Sequence, residues 1–151
     1  MSTDPQRQPL VSRETPVAPA PAVAKRVLVA DDEEAVRVVL KRYFSRYGWQ
    51  VVEVEDGRQA FDSLLRGTHT RFDLIVCDLR MPGMTGPELF RWMLDSQPEL
   101  VSRLIFTTGD MHEHDTAEFL AATRCCVLEK PFELETLRRV IESVAGNVAA
   151  A

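Results

Sequence analysis

The sequence predicts an α/β fold in which a doubly wound parallel β-sheet is covered by helices on both faces. Short apolar segments alternate with segments of helical periodicity five times between residues 25 and 145. Three of the apolar segments, at 27–30, 72–77 and 103–107, are apolar on both faces, as are the buried strands of parallel sheets. Right-handed crossovers between such strands favour an open sheet with helices on either side.

Five strands and five helices are predicted, in strict alternation. They are a strand at 27–30, a helix at 33–47, a strand at 50–54, a helix at 57–66, a strand at 72–77, a helix at 87–96, a strand at 103–107, a helix at 112–122, a strand at 126–128 and a helix at 133–144. Apolar residues spaced three and four apart indicate the helices, and short apolar or β-branched runs indicate the strands.

In the first half of the chain, glycines set the element boundaries. The helix at 33–47 stops at Gly48 and the helix at 57–66 stops at Gly67, because glycine readily adopts the backbone conformations that end helices. Residues 50–54 are rich in valine and therefore fit a strand between these two helices.

In the second half, residues 83–86 form a turn-rich loop before Pro87, which suits a first helical turn because its missing N–H leaves no bond unmade. The helical pattern at 112–122 is weak. The helix at 133–144 is strongly patterned, and four of its apolar side chains are expected to face the sheet: Leu134, Leu137, Ile141 and Val144.

The 151-residue chain is predicted to form one globular domain at 25–145, between a flexible Pro/Ala-rich tail at 1–24 and a short C-terminal tail at 146–151. A net charge of −5 disfavours general binding to nucleic acid or anionic membranes. The sequence contains neither a transmembrane run nor a secretory signal. Its three cysteines lack disulfide or zinc spacing, so a cytoplasmic protein with buried free thiols is expected.

Chemically active side chains follow four of the predicted strands. Asp31 and Asp32 follow the first strand, Asp78 the third, Thr108 the fourth and Lys130 the fifth. Ligands of open α/β sheets bind beyond the carboxyl ends of the strands, so these residues are expected to share one site. The three aspartates provide oxygen ligands for Mg²⁺, while Thr108 and Lys130 suit the binding of an anion.

Each feature alone has an ordinary structural explanation, because an aspartate after a strand often caps a helix, and Thr-Gly or Lys-Pro often forms a loop. Their joint occurrence at one sheet edge favours a functional site. Glu33 and Glu34 fall in the first helical turn, where acids interact favourably with the helix dipole. Both are therefore interpreted as capping residues that turn away from the site rather than as metal ligands.

Four segments, VLVADDEE, DLIVCDLRMPGMTGPEL, LIFTTGD and LEKPF, together resemble the receiver domain of response regulators, the phospho-accepting partner in two-component signalling. The resemblance covers about residues 25–145 and includes chemotaxis-type single receivers. It implies a flavodoxin-like receiver fold with a five-stranded parallel sheet of order 2-1-3-4-5 and five helices.

The resemblance also implies the roles of the site residues. Asp78 is the expected phospho-acceptor. Asp31 and Asp32 are expected to hold Mg²⁺ together with Asp78 and the backbone carbonyl of Arg80. The product would be an aspartyl phosphate that the domain later hydrolyses, which makes the protein a slow self-catalysed switch rather than a conventional enzyme.

Further expectations concern the switch itself. Thr108 is expected to contact the phosphoryl group, Lys130 to pair with it, and the Lys130–Pro131 peptide bond to be cis. Many receivers carry Tyr or Phe three positions before this lysine, but Val127 stands here. A switch coupled through Thr108 is compatible with Val127, whereas a switch that needs the rotation of an aromatic ring at this position is not.

The resemblance implies a phosphohistidine donor on a sensor histidine kinase or a histidine phosphotransfer protein, with a contact expected near Val36. No output domain is seen after residue 145, so the signal is expected to pass to an unidentified downstream protein through the receiver surface. The surface of the last helix is charged rather than apolar, so the unphosphorylated protein is expected to be a monomer.

Two other functions fit parts of the pattern. A degenerate receiver that serves only as a docking module would share the fold, but the intact set of acidic residues in this sequence argues against it. A phosphohydrolase of the haloacid dehalogenase type also uses a strand-end aspartate with Mg²⁺. Such enzymes usually need a second aspartate two positions after the nucleophile, where this chain has Arg80.

Overall fold

The computed structural model describes residues 23–66 and 71–149. Its elements are β1 (Arg26–Ala30), α1 (Glu34–Arg46), β2 (Gln50–Val54), α2 (Gly57–Arg66), β3 (Leu74–Asp78), α3 (Gly86–Ser96), a 3₁₀ helix (Pro98–Arg103), β4 (Leu104–Thr108), α4 (His114–Thr123), β5 (Cys126–Glu129) and α5 (Leu134–Ala149). Nearly all of the tail predicted at 1–24 lies outside the described residues. Helix α5 includes residues 146–149, which were assigned to a tail, so the predicted helix was too short.

All five strands pair in parallel in the order β2-β1-β3-β4-β5, which confirms the predicted topology. The register aligns the strand ends: Asp78 lies opposite Thr107, and Thr108 lies opposite Glu129. The residues that follow β1, β3, β4 and β5 therefore emerge at one edge of the sheet. This alignment positions the candidate site.

The core consists of two hydrophobic clusters, one on each face of the sheet. On one face, α1 and α5 cover Val27, Val29, Val76 and Ile105, and on the other face α2, α3 and α4 cover the alternate side chains of the same strands. Strands β1, β3 and β4 are buried on both faces, as their continuous apolar runs predict. Across the described ranges, no helix combines the length and apolar character needed to cross a bilayer.

All three cysteines are free thiols, and the part of the chain containing them is fully described. Cys77 is buried in β3, whereas Cys125 and Cys126 are only half-buried, so the expectation of buried thiols holds fully for Cys77 alone. Cys125 packs against the cluster on the α4 side, and Cys126 packs against the cluster on the α5 side. This alternation follows from the twofold side-chain period of a strand.

One predicted core contact of α5 is wrong. Leu134 is 54% exposed because it is the first residue of the helix, whereas Leu137, Ile141 and Val144 are buried as predicted. Helix α1 also has an exposed apolar residue. Its buried side chains are those of Leu40 and Phe44, whereas Val39 is exposed. Val39 precedes Leu40 by one residue and therefore points about 100° away from it.

Several helix and strand boundaries differ from the predicted ones, because hydrogen bonds rather than residue types determine where these elements begin. Helix α3 begins at Gly86 rather than Pro87, because Thr85 and Glu88 form a capping box in which each side chain accepts from the other's backbone N–H. Arg103, predicted as the start of β4, instead ends the 3₁₀ helix. Residues 72 and 73 precede β3, which begins where Leu74 pairs with Val27.

Candidate functional site

The carboxyl edge of the sheet holds four carboxylates, on Asp31, Asp32, Glu33 and Asp78, with oxygen atoms within 4.8 Å of one another. We call this group the acid pocket. The ammonium nitrogen of Lys130 lies 2.8 Å from Asp31 Oδ2, 3.0 Å from Asp78 Oδ2 and 3.0 Å from Glu33 Oε1. The strand ends thus bring a single ammonium group into contact with three of the four carboxylates.

Backbone pairing fixes these positions. Asp31 follows β1 directly, and its N–H donates to the carbonyl of Val54 on β2, at 3.2 Å. Asp78 is the last residue of β3. The N–H of Lys130 donates to the carbonyl of Thr108 at 2.7 Å, which continues the pairing of β4 and β5 by one residue. The Lys130–Pro131 peptide bond is cis, which confirms that expectation.

The pocket strongly perturbs its ionisable groups. Burial raises the pKa of Asp78 to about 6, against the opposing effect of hydrogen bonds from Lys130 and from the backbone N–H of Arg80. Burial also opposes the charged form of Lys130. The contacts with the carboxylates of Asp31, Glu33 and Asp78 outweigh that effect and hold the pKa of Lys130 above its ordinary value. Lys130 is therefore a cation throughout the physiological range.

The donor set fits a hard divalent cation. Four carboxylates face one ammonium group, so a large negative charge remains unbalanced. Asp31 Oδ2 is buried, and although it lies near Lys130 Nζ, its geometry does not satisfy that of a hydrogen bond. Oxygen ligands in this number suit Mg²⁺, which prefers carboxylates together with water. The N–H of Arg80 donates to Asp78 Oδ1 at 3.1 Å, so the Leu79–Arg80 peptide borders the pocket.

Beside the acid pocket is an open cavity of about 270 Å³, lined partly by Thr108, Gly109 and Asp110 of the loop after β4. Thr108 is buried, and its hydroxyl oxygen accepts from the N–H of Asp110 at 3.2 Å. The same cavity reaches Asp78 and Lys130. The structure therefore brings Asp32, Asp78, Thr108 and Lys130 to one solvent-accessible cavity, and the buried Asp31 contacts Lys130.

One residue at this site was interpreted wrongly from the sequence. Glu33 is the N-cap residue of α1, but its side chain makes no capping hydrogen bond and instead accepts from Lys130. Its backbone N–H donates to Asp31 Oδ1 at 2.9 Å, so an aspartate provides the local turn contact. Glu34, in contrast, lies in the first turn of α1 as predicted. No local signal could indicate a partner that lies 97 residues away.

The sequence also gave no indication of a second contact at the site. The guanidinium group of Arg80 forms an ion pair with Glu113, the residue before α4. The loop that carries Glu113 is organised by Asp110 Oδ1, which accepts from the N–H groups of His112 and Glu113, both at 3.0 Å. The β3–α3 loop is thereby joined to the start of α4.

Val127, which stands where many receivers carry an aromatic residue, lies in β5 opposite Phe106 and is half-buried. It packs against the cluster on the α4 side of the sheet. Its small side chain leaves Thr108 and α4 without an aromatic partner at this position.

Comparison with known proteins identifies the family. The sequence profile of the response regulator receiver domain matches residues 27–142. The chain is 31% identical to the response regulator receiver protein CpdR of Brucella abortus, over 80% of this chain and 96% of CpdR. It is 28% identical to sporulation initiation phosphotransferase F of Bacillus subtilis, over 78% of this chain and 91% of that protein.

Solved structures agree with this assignment. The receiver domain of the sensor histidine kinase PA1611 from Pseudomonas aeruginosa, described with a magnesium ion coordinated in its active-site cleft, superimposes with a TM-score of 0.71. The match has 25% identity and covers 82% of this chain and 99% of that domain. The fold, the profile match and the relatives lead to one conclusion: the chain belongs to the response regulator receiver family of two-component signalling.

Proposed function

We propose that this receiver accepts a phosphoryl group on Asp78 from a phosphohistidine and then signals through protein–protein contacts. The observation that carries the proposal is the position of Lys130 Nζ, 3.0 Å from Asp78 Oδ2 and inside the acid pocket. A nucleophilic carboxylate beside a fixed cation is suited to accepting a group whose charge lies on its oxygens. The donor would be a sensor histidine kinase or a histidine phosphotransfer protein.

In the transfer step, a carboxylate oxygen of Asp78 attacks the phosphorus atom in line with the bond to the donor imidazole. The Asp78 O–P bond forms while the P–N bond breaks, and the imidazole leaves with that electron pair. With a pKa of about 6, Asp78 is mostly ionised at neutral pH, as a nucleophile must be. Lys130 would face the transferred oxygens, and Thr108, which lines the same cavity as Asp78, would donate its hydroxyl hydrogen to one of them.

Asp31, Asp32 and Asp78, with the backbone carbonyl of Arg80, would hold Mg²⁺. When bound, this ion would neutralise charge on the phosphoryl oxygens and offset the repulsion among the carboxylates. The buried Asp31 oxygen without a hydrogen bond supports this assignment. The magnesium ion named for the PA1611 domain supports it independently.

The signal would end when water attacks the phosphorus atom and the O–P bond to Asp78 breaks, which restores the carboxylate and releases phosphate. The chain then behaves as a self-catalysed switch. We expect the donor to contact α1 near Val36, which lies in the turn that follows the acid pocket. A downstream protein would bind the surface of α4, β5 and α5, and the unphosphorylated form would be a cytoplasmic monomer.

The proposal is tested by incubating the protein with acetyl phosphate and Mg²⁺ and detecting an acyl phosphate by intact mass spectrometry. The wild type should be labelled, and Asp78→Asn should not. Asp95→Asn, an exposed change in α3, is the matched control and should label normally. Undiminished labelling of Asp78→Asn would contradict the assignment, and an unlabelled wild type would favour a docking module.

A further inference from the structure

The ammonium group of Lys130 is shared by carboxylates of very different exposure. The side chains of Asp31 and Asp78 are 1% and 7% exposed, whereas that of Glu33 is 60% exposed. Lys130 itself is 11% exposed. Two of its contacts are hydrogen bonds, those to Glu33 and Asp78, both of 3.0 Å. Glu33 therefore holds the ammonium group from the solvent side.

The proposed phosphorylation of Asp78 must change this arrangement. A phosphoryl group on Asp78 brings new anionic oxygens to the face of Lys130, and an ammonium group has only three hydrogens to donate. Esterification removes the charge of the Asp78 carboxylate, so one phosphoryl oxygen can take over its contact with Lys130. A second phosphoryl oxygen has to displace Asp31 or Glu33 from the ammonium group. Releasing a buried carboxylate would leave an unpaired charge in the protein interior, whereas water can solvate an exposed carboxylate. Glu33 is the partner whose release costs least.

We propose that Glu33 is a positioning residue that holds Lys130 in the unphosphorylated protein and competes with the phosphoryl group for it. The inference rests on the proposed function and adds a residue to it. In this arrangement, Glu33 keeps the ammonium group oriented into the pocket before transfer. The same contact opposes the phosphorylated state, because the phosphoryl oxygens must displace it.

The alternative is that Glu33 only begins α1. The absence of a side-chain capping bond at Glu33 argues against that explanation, as does the contact with a residue beyond β5. Glu34 provides a matched comparison, since it is the adjacent residue, carries the same charge, is also exposed and lies in the first turn of the same helix. Glu33 belongs to the acid pocket, whereas Glu34 is not among its carboxylates, so removing Glu33 lowers the negative charge of the pocket more than removing Glu34 does. Removing Glu33 also takes away one of the three carboxylate contacts of Lys130.

The test compares Glu33→Gln with Glu34→Gln. Beryllofluoride, a mimic of the phosphoryl group, is titrated into each protein at saturating Mg²⁺, and binding is followed by fluorine NMR. We expect Glu33→Gln to bind the mimic roughly two- to fivefold more tightly than the wild type, because an exposed competing ion pair has been removed. Glu34→Gln should stay close to the wild type, within about 1.5-fold.

A second readout separates the local contact from the general field. Titration with Mg²⁺ alone should show equal or weaker binding in both variants, because each has lost a negative charge near the pocket. Tighter binding of beryllofluoride with no gain in Mg²⁺ affinity would thus be specific to the release of Lys130. A helix-capping role would instead lower the melting temperature of Glu33→Gln without strengthening the binding of the mimic.

The two hypotheses fail in different ways. If the wild type binds beryllofluoride but Glu33→Gln binds it no more tightly than Glu34→Gln does, the competition is wrong and the proposed function stands. If the wild type binds no beryllofluoride with Mg²⁺ present, the phospho-accepting function is wrong, and the role of Glu33 is overturned with it.

Discussion

The guanidinium group of Arg80 is paired with the carboxylate of Glu113, and the backbone N–H of the same arginine donates to Asp78. Glu113 in turn accepts a hydrogen bond of 3.0 Å from the hydroxyl of Thr116, in the first turn of α4. A continuous set of contacts therefore extends from the acid pocket to α4. With Val127 in place of an aromatic switch, these contacts are a direct structural connection between the two regions.

The first prediction concerns this connection. Glu113→Gln should increase amide hydrogen exchange at residues 110–120 roughly two- to fivefold, because α4 loses its tie to the β3–α3 loop. The free energy of unfolding should fall by less than about 1 kcal/mol, since the two side chains are 63% and 39% exposed. Hydrogen exchange with mass spectrometry measures the first effect, and urea unfolding measures the second.

Asp95→Asn is the control for that experiment, because Asp95 is an exposed residue of α3 and lies outside the segment that is measured. It should leave exchange at the start of α4 unchanged. If Glu113→Gln exchanges as slowly as the wild type, the ion pair does not restrain the helix.

The second prediction is that Asp78→Asn stabilises the fold at neutral and higher pH when EDTA is present. The folded protein raises the pKa of Asp78 from an ordinary 3.8 to about 6. Between these values the native state binds more protons than the unfolded chain, so stability falls as pH rises through that window. Asparagine carries no charge to bury, and we expect a gain of about 1–3 kcal/mol at pH 8.

The difference between Asp78→Asn and the wild type should shrink towards zero as the pH falls below 4, because Asp78 is then neutral in the folded protein and becomes protonated in the unfolded chain as well. Urea unfolding at pH 4, 6 and 8 checks this pH dependence. A stabilisation that is equal at all three pH values would show that charge burial is not its cause.

The third prediction concerns metal binding. Asp32→Asn should weaken the binding of Mg²⁺ by about tenfold or more, because a ligand carboxylate is lost where few other protein ligands are available. Glu34→Gln should change the affinity less than about twofold, through the general field alone. Isothermal titration calorimetry measures both, and similar losses in the two variants would remove Asp32 from the ligand set.

The fourth prediction tests the packing behind the site. A Cβ atom on Gly57 would overlap the backbone carbonyl of Met84, so Gly57→Ala should cost about 1–3 kcal/mol of stability, even though alanine favours helices. Gly109→Ala, where a Cβ atom meets nothing within 4 Å, is the control and should cost much less. Chemical unfolding compares the two variants, and equal losses would contradict the steric explanation.

The architecture and most residues of the site follow from patterns in the amino-acid sequence. Alternating periodicities specify the order of strands and helices, and continuous apolar runs identify β1, β3 and β4 as buried on both faces. Parallel strands end at a common edge, so Asp31, Asp78 and Lys130 could be predicted to meet although they are far apart in the chain.

The pairing of charged groups at that edge depends on tertiary contacts that sequence patterns do not specify. The contact of Glu33 with Lys130 and that of Arg80 with Glu113 join loops that are far apart in sequence. Both contacts depend on the directions that long side chains take beyond the ends of the strands. The exposure of Leu134 has a similar origin, since it depends on where α5 begins relative to the sheet. Periodicity describes one element at a time, whereas these contacts arise from the placement of several elements together, which sets the distances between their side chains.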